Sequence, residues 1–101
     1  MTRIPSDREP THPGEVLLKE FLEPMELTQK QLADGIQVPY QRVNEIINGK
    51  RGVTPSTALR LSQFFDTSPG FWMNLQLTWD LYHVRREEKE GLESIEPVKR
   101  R

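Results

Sequence analysis

Five polar side chains recur at helical spacing in the middle of the chain: Tyr40, Gln41, Asn44, Glu45 and Asn48. At about 100° per residue they share one arc, while Val43, Ile46 and Ile47 gather on the opposite side. Amides, a phenol and a carboxylate are groups that read base edges in a DNA groove. Gln41 or Asn44 can pair with an adenine, and Glu45 can accept from a cytosine amino group. Tyr40 can pack on a sugar or touch a thymine methyl. Around this arc stand Lys30, Arg42, Lys50 and Arg51, candidates for phosphate contacts, which position a protein without reading sequence. The alternatives are a solvated helix face and, for Lys50 and Arg51, a solvated loop. Arg60 reads as one half of a surface salt bridge.

Charge distribution supports the DNA reading although the net charge is only −1. Residues 1–27 carry three basic against six acidic groups, residues 28–60 five against two, and residues 61–101 six against seven. A positive band therefore lies between acidic or neutral flanks, a field that can meet a phosphate backbone on one side.

Catalytic readings find little to work with. The chain has no cysteine, so neither a thiolate metal site nor a catalytic thiol is available. His83 and Glu87, four residues apart, supply at most half of a metal site and read as a surface ion pair. The other histidine, His12, belongs to the start of the first helix. Gly49-Lys50-Arg51-Gly52 follows a helix, not a strand, so it is no phosphate-binding loop. No cofactor or metal is expected, and no enzymatic activity.

The elements that must position these residues are all helical. A first helix starts at His12-Pro13-Gly14-Glu15, presents Val16, Leu17, Leu18, Phe21 and Leu22, and is expected to stop before Pro24. Thr28-Gln29-Lys30-Gln31 is a capping box opening a short second helix that ends near Gly35. The third spans about Pro39 to Asn48, with Gly49 as its left-handed terminator. Thr54-Pro55 and Ser68-Pro69 open the fourth and fifth, the fifth carrying Phe71, Trp72 and Leu75 toward the core and ending near Arg86. Two short helices joined by about three residues cross steeply, and Ala33 lets them approach.

This stretch resembles the phage-repressor (Cro and XRE) helix-turn-helix family, through Gln29, Ala33 and Asn48-Gly49. The resemblance implies that Gln29 contacts phosphate. Where the family usually has glycine in the turn, this chain has Gln37, which is then expected in a left-handed conformation under some strain. A narrower resemblance covers residues 12–82: His12-Pro13-Gly14-Glu15, the run Asn44 to Thr54, Thr57-Ala58-Leu59-Arg60-Leu61, Ser68-Pro69 with Phe71-Trp72, and Asn74-Leu75-Gln76. These motifs, in this order, are similar to the HigA antitoxins. That likeness implies two linked tasks: neutralising a HigB-like toxin that cleaves mRNA, and repressing the shared operon by binding its double-stranded operator DNA. A repressor without a toxin partner is the alternative.

Leu77, Leu81 and Val84 form a second apolar set on the fifth helix, displaced from Trp72, Leu75, Trp79 and Tyr82. A helix apolar on two sides buries both. These residues are therefore expected to form a homodimer interface, which would also set two recognition helices about 34 Å apart, one DNA turn. The expected organisation is an all-α, five-helix repressor-like domain over 12–86, a flexible segment 1–11 and a disordered charged tail 87–101. No apolar run approaches the ~20 residues needed to span a bilayer. The polar start of the chain does not read as a signal peptide, so the expected location is the cytoplasm.

Overall fold

Four helices begin in the same way, with a side-chain acceptor taking up an amide that the first turn cannot satisfy. His12 Nδ1 accepts from the Gly14 N–H at 2.9 Å, ahead of α1 (Pro13–Val16). Thr28 and Gln31 exchange hydrogen bonds of 3.0 and 2.9 Å, completing the capping box of α3 (Gln29–Ile36). Thr54 Oγ1 accepts from Thr57 before α5 (Pro55–Phe65), and Ser68 Oγ from Phe71 before α6 (Pro69–Glu87). The computed structural model describes residues 8–99, in which no strand occurs. The chain is all-α, as the sequence implies.

The first helix differs from expectation. It does not stop at Pro24. α1 passes into a π-helical turn (Leu17–Leu22) and then into α2 (Glu23–Met25). In this turn the Glu23 N–H bonds back to the Leu18 carbonyl, five residues away. The wider turn shifts the hydrogen-bond register, so that a proline without an N–H, whose ring would collide with a carbonyl four residues earlier in an α-helix, fits inside.

α4 (Tyr40–Ile47) has only Pro39 at its start and no side-chain cap there. The ends of α2, α3 and α5 are closed by Glu26, Gln37 and Asp66 in left-handed conformation, at φ 54°, 61° and 56°. Gly49, at φ 74°, turns the chain in the same sense one residue after the C-cap of α4. Gln37 thus adopts the conformation foreseen for it.

Leu17, Leu22, Leu32, Ala33, Ile36, Val43, Ile46, Val53, Ala58, Leu61 and Trp72 form the buried centre. Trp72 is fully buried, and its indole N–H donates to Thr67 Oγ1 at 2.9 Å, so its polar atom is not stranded. Phe71 is a correction: it stays 38% exposed, at the edge of an aromatic group with Phe21 and Trp72. The expected disordered tail also needs revision. α6 runs one residue beyond Arg86, and Lys89–Glu93 form a further helix, α7. Most of the flexible segment expected over residues 1–11 falls on residues 1–7, outside the described residues. Of the remainder, Glu9 lies 3.0 Å from His83 Nε2. His83 therefore faces Glu9 and not Glu87. The approach has the distance of an ion pair without the alignment of a hydrogen bond. No helix among the described residues is long and apolar enough to cross a membrane.

Candidate nucleic-acid interface

α3 and α4 pack against each other, and Ala33 of α3 is fully buried. The turn between them is held from outside the motif. Arg60, on α5, donates from its guanidinium to the carbonyls of Ile36 at 2.8 Å and Gln37 at 3.4 Å. These carbonyls lack helical partners, and a cation beside them also complements the negative helix end. Arg60 is therefore a C-terminal cap of α3, not half of a surface salt bridge. Its partners lie 24 and 23 residues away, so no local pattern points to them.

The far end of α4 is held by backbone contact. A β-carbon on Gly14 would run into the Ile46 carbonyl and come within 2.9 Å of Ile47 Cα. Only glycine lets α1 approach so closely. The following loop is tied to α6 by Gln76, which accepts the Val53 N–H at 2.7 Å and donates to Asp80 at 2.9 Å. Gln76 is buried, and its place one helical turn after the fully buried Trp72 marks it as a polar residue on an inward face.

On this frame α4 turns Val43 and Ile46 inward and its polar arc outward. Tyr40 is 49% exposed and Gln41 is exposed, both on the first turn. Asn44 and Glu45 are half-buried and already engaged. Asn44 Nδ2 donates to Gln29 Oε1 at 3.0 Å, and Asn44 Oδ1 accepts from Asn48 at 3.2 Å. Glu45 is 2.9 Å from Arg51 Nε and accepts from Gln41 at 3.3 Å. Gln29, at the first position of α3, is thereby brought onto the face of α4.

The charged candidates divide in two. Lys30 bonds both carboxylate oxygens of Asp34, at 3.0 and 3.1 Å, and Arg51 neutralises Glu45. Exposed pairs of this kind contribute little, so a phosphate can compete for either cation. Arg42, half-buried on α4, and the exposed Lys50 make no salt bridge among the described residues. Leu77, Leu81 and Val84, spaced four and three apart on α6, are 54%, 42% and 44% exposed, away from the buried Trp72 and Gln76.

A helix-turn-helix family model matches residues 18–72. The chain is 42% identical over 93 residues to YbaQ of Escherichia coli K12, named as an uncharacterized HTH-type transcriptional regulator, covering 90% of this chain and 82% of that protein. It is 38% identical to antitoxin HigA-1 of Vibrio cholerae, covering 90% of this chain and 86% of the relative. Among solved structures, Pseudomonas aeruginosa antitoxin HigA with the higBA promoter superposes with a TM-score of 0.85 at 37% identity, covering 90% of this chain and all of that one. The chain belongs to the helix-turn-helix family and, within it, to the HigA-family antitoxins.

Proposed function

We propose that this protein is the antitoxin of a HigB/HigA-type module, a cytoplasmic homodimer that represses its own operon and neutralises an mRNA-cleaving toxin. The observation that carries the DNA half is the frame around α4. Arg60 holds the turn before it and Gly14 its far end, while an outward polar arc led by Tyr40 and Gln41 is left to meet base edges. Gln29, Lys30, Arg42, Lys50 and Arg51 surround that arc as phosphate partners. Leu77, Leu81 and Val84 are the apolar stripe across which two copies would pair, spacing their recognition helices for a palindromic site. Support for the toxin half comes from the likeness to the HigA antitoxins.

The likeness to YbaQ, named as a transcriptional regulator, favours a second reading in which the same interface serves a repressor with no toxin partner. Co-expression with the neighbouring small open reading frame separates the two. Joint purification, with growth restored by this chain, supports the antitoxin. A harmless neighbour that does not bind leaves the repressor.

A further inference from the structure

Asn44 stands on the polar arc of α4, yet its side chain is turned to other amides. The order is continuous: Asn48 Nδ2 donates to Asn44 Oδ1, and Asn44 Nδ2 donates to Gln29 Oε1. A bidentate adenine contact needs the donor and the acceptor of one amide together, so Asn44 would have to give up both partners to make it. Gln29 is in the opposite situation. Its carbonyl oxygen is occupied by Asn44, while its Nε2 makes no hydrogen bond among the described residues. That nitrogen belongs to the first residue of α3, beside the free amides and positive end of an eight-residue helix.

We propose that Asn44 is a positioning residue that fixes the carbonyl of Gln29 inward and so presents the Gln29 NH2 to a backbone phosphate. The assignment rests on the DNA-binding reading above and refines it. Reversing all three amides would keep the chain of hydrogen bonds but turn the Gln29 oxygen outward, where it would repel an anion. Phosphate binding selects the donating order. Asn44 then contributes to affinity on every sequence and to preference at no base pair, because a phosphate is the same beneath every base. Gln29 is neutral and displaces no counterion, so the effect is also independent of salt, unlike that of a lysine or arginine.

The test uses the full chain and a duplex spanning the region upstream of its own gene, with single-base variants of the protected site. Gln29→Ala and Asn44→Ala are each expected to weaken binding about tenfold, the worth of one such hydrogen bond. The double variant is expected to bind no more weakly than either single one, within about twofold. All losses should be equal across the base variants, with the salt dependence unchanged. Asn44→Asp, which keeps the shape but can only accept, should draw the Gln29 NH2 inward and weaken binding at least as much as Asn44→Ala, its added negative charge lowering affinity on every sequence further. This second variant serves if the alanine protein folds poorly. A changed preference at one base pair would overturn the assignment and make Asn44 a base reader. Additive losses would overturn it too, since a purely structural Asn44 would still matter without Gln29. Failure of the unaltered protein to bind the duplex with salt-dependent affinity would overturn the DNA-binding reading itself.

Discussion

The Cα of Gly14 rests against the carbonyl of Ile46, so that the first helix touches the end of α4 backbone to backbone. Neither obstructing group is the flexible tip of a side chain: a β-carbon would lie 2.7 Å from the Ile46 carbonyl carbon and 2.9 Å from Ile47 Cα. Gly14→Ala must therefore move one helix. A loss of about 1–3 kcal/mol is expected in denaturant unfolding, typical of overpacking. An unchanged midpoint would show that the two helices separate freely.

Stability should fall in mild acid through His12. Burial pushes its imidazole below the ordinary value of 6.5, Asp80 opposes that shift, and His83 adds to it. Its Nδ1 is also occupied as the acceptor for the Gly14 N–H. The unfolded chain takes up the proton first as pH drops. The stability held by neutral His12 is thus complete above 6.5 and is lost between 6.5 and the lower folded-state value. Asparagine keeps a capping acceptor without titrating. Denaturant midpoints of wild type and His12→Asn should therefore converge or cross as pH falls below 6.5. Parallel curves would assign the acid sensitivity to other groups.

Arg60→Ala removes the donor to the Ile36 and Gln37 carbonyls and should cost about 1–2 kcal/mol, the lower part of the range for charged hydrogen bonds because the side chain is largely exposed. Lysine at this position offers one point charge for a planar fork and should recover part of the loss. Thermal unfolding of the three proteins checks the order. Equal melting temperatures would mean that water replaces the guanidinium.

Lys50 and Arg42 stand outside the salt bridges found among the described residues, and their removal should alter the electrolyte response most plainly. Lys50→Ala is expected to reduce the slope of log K against log salt by about 0.9, the release of one counterion, while weakening all sequences alike. An unchanged slope would place Lys50 in the solvated loop.

Leu81→Glu puts a charge in the middle of the exposed stripe of α6 without disturbing the buried Trp72 side. Light scattering should show the wild type as a dimer and the variant as a monomer, with operator affinity falling as the two half-sites uncouple. A wild-type monomer at micromolar concentration would remove this interface.

Much of the frame was legible because caps and helical arcs are local. Thr28 and Gln31, or Thr54 and Thr57, find each other within one turn, and Val43 and Ile46 share a face by spacing alone. The site was harder to read where its partners are remote in sequence. Asn44 meets Gln29 across fifteen residues, and Arg60 reaches its carbonyls across 24. Helical spacing puts Asn44 on the outer arc and Arg60 reads as a surface ion pair, but only the packing of the helices supplies their actual partners. Pro24 misled for another reason. It marks the end of an α-helix, but hydrophobic spacing does not reveal that the preceding turn is π-helical.

The chain reverses after α2, α3, α4 and α5 with one left-handed residue each time, and only the last of the α4 region, Gly49, is the residue for which that conformation is free of strain. Glu26, Gln37 and Asp66 each bear a cost of about 1–2 kcal/mol in the left-handed region. Glycine would relieve it at the expense of about 0.5–1 kcal/mol in unfolded-chain entropy. The difference leaves each junction up to about 1.5 kcal/mol short of its attainable stability. Glycine at Glu26, Gln37 or Asp66 is thus a stabilising change still open to this chain, able to offset a costly substitution on the polar arc of α4.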